Sequence, residues 1–280
     1  MAGRLDGQVA VVTGSGRGFG RAIAQGLAAE GAAVLVTARS SEEIEETAKL
    51  IVAAGGRAVA VPGDITQRAD IENLRTAAEE AFGPVTLAIH NAGVPWPFGP
   101  TWYVDPDRFW DAQKVHVRAS MYMIHTFVPP MIERGGGRVI LVASTAAVRV
   151  TKNLGGYGIA KATQARLVQY LAAEGADENV QAFVIHPGSV LTGISDLTVA
   201  DPDAQKYNPE FVARLTSRME ANEDGSEALA ACAALCVNLG SGDYDGLSGR
   251  YLDPSWDLDA LLAAGGEVDG ASLGVVQATA

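Results

Sequence analysis

The sequence predicts an α/β fold: a single doubly wound domain with a central parallel sheet flanked by helices. Short apolar runs alternate with helical patterning, those runs are continuously apolar, and no linker or shift in composition divides the 280 residues. A strand covered on both faces needs apolar side chains at every position, whereas a half-solvated strand alternates. The composition suits such a core, with 48% hydrophobic and 19% charged residues, the balance of an ordinary globular protein.

The first strand, residues 8–13, is a β-branched run that stops at Gly14. Helical patterning over 19–30 ends at Gly31, and a second strand follows at 33–37. Residues 41–54 begin Ser-Glu-Glu-Ile, which suits a capped helix start. A strand at 58–62, a helix at 68–82 and a strand at 87–90 continue the alternation. A long helix runs from about 106 to 127, where Pro129 and Pro130 kink or end it. The fifth strand, 138–142, leads through a loop to the helix bearing Tyr157, and the sixth is 181–186. Residues 193–224 are polar and mixed and read as a flexible lid that orders on binding. An alanine-rich helix at 227–239 and a short strand near 249–252 close a domain of residues 1–255. Residues 256–280 are a C-terminal extension, either a frayed tail or an arm docking on a partner subunit.

A net charge of −12 argues against nucleic acid or an anionic membrane as a general partner. Local basic pockets still bind phosphates, so an anionic cofactor stays open. Cys232 and Cys236, four apart on a helix, read as buried free thiols, since no His/Cys cluster accompanies them. The N-terminus lacks the apolar core of a signal peptide, and no apolar run reaches the roughly 18 residues of a membrane span. The expectation is a soluble, cytoplasmic protein with no metal.

After the first strand comes Thr13-Gly14-Ser15-Gly16-Arg17-Gly18-Phe19-Gly20, and then a helix. Glycines there permit a tight turn and let backbone N–H groups approach a pyrophosphate at the helix N-terminus. An NAD site places Asp or Glu at the end of the second strand for the ribose 2′-hydroxyl. Here Val36-Thr37-Ala38-Arg39-Ser40 has no acid. Arg39 and Arg17 instead offer guanidinium groups suited to a 2′-phosphate, which favours NADP(H). Asp64, beside Ile65, reads as an acceptor for the adenine amine or as a helix cap.

Tyr157 and Lys161 stand one helical turn apart, with Ser144 thirteen residues before Tyr157. A free phenol keeps its proton at neutral pH, and a nearby cation favours the phenolate, making tyrosine a usable acid or base. Ser144 can polarise the oxygen that Tyr157 serves.

The glycine turn, His90-Asn91-Ala92-Gly93 and Ser144 with Tyr157-x-x-x-Lys161, in that order, resemble the short-chain dehydrogenase/reductase superfamily over about residues 5–255. Pro187-Gly188 and Leu247-Ser248-Gly249-Arg250-Tyr251 add to the likeness. The resemblance implies a Rossmann-type NADP(H) enzyme that interconverts a ketone or aldehyde with an alcohol. Tyr157 would be the acid or base, Lys161 would lower its pKa and hold the nicotinamide ribose, and Ser144 would bind the reacting oxygen. The implied cofactor set is Gly14, Ser15, Arg17, Gly18, Phe19, Gly20, Arg39, Ser40, Asp64, Ile65, Asn91, Ala92, Gly93, Tyr157, Lys161, Pro187, Gly188, Val190 and Thr192. It also implies a homodimer or homotetramer built on the long helix and the Tyr157 helix.

His116, in Lys114-Val115-His116-Val117-Arg118, stands where the family commonly carries a catalytic Asn that orders a water next to the Lys. An imidazole titrating near 6.5 would make that relay pH-sensitive; the other reading is a packed histidine. A non-redox member (lyase, dehydratase or epimerase) and a nucleotide-binding regulator stay open on the same residue. Trp96, Pro97, Phe98, Trp102 and Tyr103 suggest a bulky or aromatic substrate, or the packing of a long loop. Arg149 and Lys152 read as partners for a substrate carboxylate or as surface charge.

Overall fold

Strands whose every residue is buried must sit inside a sheet covered on both faces, and β1 (Val9–Thr13) and β2 (Ala33–Thr37) are of that kind. A computed structural model describes residues 3–265. Between and after those strands come α1 (Gly18–Ala29), α2 (Ser41–Ala53), β3 (Arg57–Ala60), α3 (Arg68–Phe82) and β4 (Leu87–His90). The chain continues through α4 (Pro106–Gln113), a π-helical turn (Lys114–Arg118), α5 (Ala119–Glu133), β5 (Gly137–Val142), α6 (Gly155–Glu174) and β6 (Val180–Ile185). It closes with α7 (Gly193–Ala200), α8 (Pro202–Tyr207), α9 (Pro209–Glu220), α10 (Ser226–Ser241), β7 (Tyr251–Leu252) and α11 (Leu258–Ala263).

The seven strands pair in parallel in the order β3-β2-β1-β4-β5-β6-β7. The order reverses between β1 and β4, and a crevice opens at such a switch point beyond the carboxyl ends of the strands. Ile23 and Leu27 of α1 pack with Cys232, Cys236 and Leu239 of α10 on one face. Gly26 lets the two helices close up, since a Cβ there would stand 3.0 Å from that of Ala233. Ile71, Leu74, Met123 and Phe127 cover the other face, and Val168 and Leu171 of α6 pack on Val139 and Val184 of β5 and β6. Both cysteines are buried free thiols, as expected.

Three expectations change. The long helix does not end at Pro129 and Pro130 but continues through them to Glu133. The prolines remove two intrahelical donors, but buried Phe127, Val128 and Met131 hold the helix on the core. Residues 193–224 are not irregular: they form α7, α8 and α9. Asp201 caps α8, and Pro202 and Pro209 occupy the first turns of α8 and α9, a helix-start signal present in the sequence. Packing also continues beyond residue 255, because Leu258 and Leu261 of α11 join the core. The remainder of the proposed C-terminal arm, 266–280, lies outside the described residues.

Arg108 of α4 ties this helical segment to the body. It pairs with Asp201 and, at 2.9 Å, with Asp203. Asn153 Nδ2 donates to Tyr207 O at 2.7 Å, and Asn208 Nδ2 donates to Lys152 O at 3.1 Å. The Asp201 side chain is only 4% exposed, so losing its charged partner costs about 2 kcal/mol locally. Arg108→Ala is therefore expected to speed amide hydrogen exchange across 193–220 while leaving sheet protection unchanged; unaltered exchange there would contradict this anchoring.

Candidate active site

Most of the expected site residues lie at the carboxyl ends of the central strands. The glycine turn joins β1 to α1, with Gly14 at φ +63° and Gly18 at φ +54°, conformations that favour glycine. Gly20 packs on the Gly14 carbonyl with no room for a Cβ. Among the described residues no side chain caps the N-terminus of α1, which leaves its first N–H groups available to an anion. Asn91 Nδ2 donates to Thr13 O at 3.0 Å and to Gly14 O at 3.1 Å, bracing the turn from β4. Thr192 lies against Gly18 and starts α7 through a capping box with Ser195. An open cleft of about 490 Å³ runs between Arg17, Gly18, Leu191, Thr192, Gly193 and α9.

Some expected cofactor residues are already engaged. Ser15 is fully buried; its hydroxyl donates to Val12 O at 2.8 Å and accepts from Thr37 N at 2.8 Å, and its N–H donates to Thr37 O at 3.2 Å. It stitches β1 to β2, and neither its hydroxyl nor its N–H is free to bind a phosphate. Asp64 Oδ1 accepts from the N–H and hydroxyl of Thr66, the local-turn role, and the Ile65 side chain is buried in the core. Ser40 caps α2, accepting from Glu43 N at 3.4 Å. Arg39 is exposed. Arg17 faces Glu43 at 3.8 Å, a competitor that spacing along the chain does not reveal. Phe19 is partly buried and packs beside Gly188, whose φ is +95°. Val190 closes on Gly225.

Ser144, just past β5, accepts from Ala146 N at 3.2 Å and starts a 3-10 turn. Tyr157 lies in the first turn of α6, and Ser144 is close enough to favour its phenolate. Lys161 is 3% exposed. Its Nζ donates to Val142 O at 2.8 Å and to Gln164 Oε1 at 3.0 Å, and lies 5.5 Å from the centre of the Tyr157 ring. Burial lowers the Lys161 pKa to about 7. Burial also raises the Tyr157 phenol above 10, against the opposing hydrogen bond with Ser144. The lowering expected from Lys161 is thus not the outcome: removal of the phenol from water dominates and leaves it above its ordinary value.

His116 is fully buried in the π-helical turn, with its ring edge-on to Tyr157 at 5.6 Å. Nε2 lies 2.9 Å from Val94 O and 3.2 Å from Val94 N, while Nδ1 has no hydrogen-bond partner among the described residues. Gly93 makes the room, since a Cβ there would stand 2.8 Å from His116 Cε1. Burial first, then the charge of Lys161, holds the His116 pKa well below 6.5. The expected titration near pH 6.5 is therefore absent, and the ring is a neutral packed group. His90 is similar: Thr13 Oγ1 accepts from Asn91 N and Ala92 N, leaving its hydroxyl to donate to His90 Nδ1, so His90 Nε2 donates to Val115 O. Burial and Lys161 lower the His90 pKa to about 3.

The aromatic cluster does not converge. Phe98 is buried, whereas Trp102 and Tyr103 are 79% and 72% exposed. Arg149 and Lys152 are exposed. Sequence reasoning missed Gln164, a fully buried amide three residues after Lys161; a polar side chain on the inward face of a helix was the available signal.

A sequence profile described as short chain dehydrogenase matches residues 8–203. The chain belongs to the short-chain dehydrogenase/reductase family. It is therefore an oxidoreductase of a family that uses nicotinamide cofactors on small molecules. Bovine (Bos taurus) dehydrogenase/reductase SDR family member 4 is 34% identical over 203 residues, 72% of each chain. A gluconate 5-dehydrogenase from Burkholderia cenocepacia, solved with NADP and tartrate, superposes with a TM-score of 0.75 at 25% identity, covering 89% of this chain and 94% of that one. A 7α-hydroxysteroid dehydrogenase solved with NADH and a 7-oxo bile acid gives 0.75 at 26% identity, covering 89% and 93%. Among the described residues no helix is long and apolar enough to cross a membrane.

The two neutral histidines set a pH dependence of stability. Below about pH 6.5 both take up protons in the unfolded chain, while in the folded protein His90 stays neutral down to about 3 and His116 stays neutral well below 6.5. The unfolded state then binds more protons, so stability falls on acidification, by about 2 kcal/mol between about pH 7 and about pH 5 for His90, with His116 adding in the same direction. Denaturant unfolding of wild type and a His90→Asn/His116→Asn variant measures it. The variant is expected to lose less stability over that interval, and equal losses would contradict the assignment.

Proposed function

We propose that this protein is an NADP(H)-dependent oxidoreductase that interconverts a ketone or aldehyde with an alcohol, Tyr157 exchanging the proton on the substrate oxygen. The observation that carries this reading is the convergence of Ser144, Tyr157 and Lys161 beside the crevice between β1 and β4. The glycine turn and the uncapped α1 N-terminus fit a dinucleotide pyrophosphate. When bound, the nicotinamide supplies or accepts the hydride equivalent that no side chain can provide.

In reduction, the substrate oxygen would accept hydrogen bonds from the Tyr157 phenol and the Ser144 hydroxyl. As charge develops there, the Tyr157 proton passes to it and an alcohol forms; Ser144 stabilises the charge throughout. A phenol held above 10 in the free site rests in the acid form that reduction needs. Lys161, one turn away, favours the phenolate left behind. In oxidation the same groups act in reverse. Replacing Tyr157 with Phe should cut turnover by about 10²–10⁴-fold, a loss far larger than any weakening of NADPH binding read by fluorescence titration. Wild-type NADPH consumption with no carbonyl of a broad panel would sink the oxidoreductase reading.

Arg17 and Arg39 would pair with an adenosine 2′-phosphate, and Glu43, 3.8 Å from Arg17, competes for it. Arg39→Ala is expected to weaken NADPH binding about 10-fold, from the loss of a charge-assisted hydrogen bond. Glu43→Gln should tighten it, and Ala38→Asp should move preference toward NADH. Unchanged selectivity in all three would count against NADP(H).

A homodimer or homotetramer is supported by exposed Met121 on α5 and exposed Ile159 and Tyr170 on α6. Light scattering on the purified protein tests it, a monomer being the contrary result. The non-redox and regulatory alternatives drew on His116 alone, and its neutral, backbone-bonded ring lends them nothing further.

A further inference from the structure

Gln164 occupies an unusual place for a polar side chain. It is fully buried on the inward face of α6, and every polar atom of its amide is engaged. Oε1 accepts from Lys161 Nζ at 3.0 Å; Nε2 donates to His116 O at 3.0 Å and to Ser120 Oγ at 3.0 Å. Ser120, also fully buried, donates to His116 O at 2.6 Å. The amide can therefore present its oxygen to Lys161 in only one orientation, because its two donors are fixed by the π-helical turn and α5. A primary amide left without partners at such depth would cost about 1–3 kcal/mol, so the closed set of bonds is what keeps it there.

We propose that Gln164 is a positioning residue for Lys161: its side-chain oxygen fixes the Nζ beneath Tyr157, and its amide fills the space between that nitrogen and the His116 carbonyl. Lys161 then has two of its three donor directions committed, to Val142 O and to Gln164 Oε1. One direction is left for a ligand on the crevice side. On the side of the π-helical turn the nitrogen meets the Gln164 amide in place of solvent. The titratable groups that face Lys161 are Tyr157 on α6, His90 at the end of β4 and His116 in the π-helical turn, and both histidines are neutral. Among the described residues no carboxylate faces Lys161, so a change at residue 164 acts on an unmasked amine. The proposal deepens the reading of Tyr157 and Lys161 as an acid–base pair, but its first test does not depend on turnover.

The protein has five lysines, so carbon-13 NMR of lysine-labelled full-length protein resolves each, with Lys161→Met for assignment. Gln164→Glu sets a carboxylate against Nζ and is expected to raise the Lys161 pKa by about 1–3 units. Gln164→Leu removes the acceptor and is expected to lower it. A residue that merely fills space would leave Lys161 titrating at the wild-type pH in both folded variants, and that result overturns the proposal. Should the leucine variant fail to accumulate, the glutamate variant decides alone. In NADPH-dependent reduction of the carbonyl panel, the pH of half-maximal rate should move in the same order as the NMR titration. If it stays fixed while the NMR titration moves, the role in positioning an active Lys161 is wrong. A wild type inactive toward every carbonyl counts against the oxidoreductase reading, while the NMR comparison still decides Gln164.

Discussion

Lys161 is held inside the helical layer with Val142 O and Gln164 Oε1 as its partners, and the rest of the site is arranged around that amine. Burying a cation is costly, and the protein meets the cost partly by letting the nitrogen approach neutrality, at about 7. His90 and His116 share the same dry space, where burial and the Lys161 charge both disfavour an imidazolium. The region therefore tolerates one positive charge at most, and it belongs to Lys161. Neutral histidines can then serve as struts. His90 links Thr13 at the glycine turn to Val115, and His116 links the π-helical turn to Val94. Through these bonds the cofactor-side turn and the acid–base pair are parts of one framework.

The π-helical turn is the local device that makes this possible. Ala119 N reaches back to Lys114 O, one residue further than in an α-helix. The His116 carbonyl takes Ser120 Oγ and Gln164 Nε2 as partners instead. Gly93 and Gly156 permit the close packing on either side: a Cβ on Gly93 would strike His116, and one on Gly156 would strike Pro97. Arg108 ties the junction of α7 and α8 to α4 through Asp201 and Asp203, so the segment that begins at the cleft residues Thr192 and Gly193 is built from helices with a defined anchor.

The strands were legible because a parallel sheet demands continuous apolar runs, and the glycine turn because its backbone demands glycine. The first six strands fall where hydrophobicity placed them, within a residue or two. What stayed hidden depends on distance in space. The helices of 193–220 are short and broken at Asp201 and Asn208, which hides them from a window-long periodicity, although Asp201-Pro202 and Asn208-Pro209 mark two of their starts. Pro129 and Pro130 read as a stop because sequence does not show how firmly Phe127 and Met131 are held. The direction of the Tyr157 shift also required the fold. Spacing puts an ammonium one turn away, but only packing reveals that the ammonium is itself desolvated. Ser15 and Gln164 mark the same limit in opposite directions. A serine in a glycine turn suggests a free phosphate ligand, yet Ser15 is spent on a strand bridge. A glutamine on a helix suggests nothing in particular, yet Gln164 closes the network behind Lys161.

The central claim is that burial outweighs the neighbouring amine at Tyr157 in the free protein. Ultraviolet titration of phenolate absorbance, taken as the difference between wild type and Tyr157→Phe without cofactor, measures it directly. The account predicts that Tyr157 ionises above 10, later than an ordinary tyrosine. A Tyr157 phenolate already present near neutral pH in the free protein would contradict it.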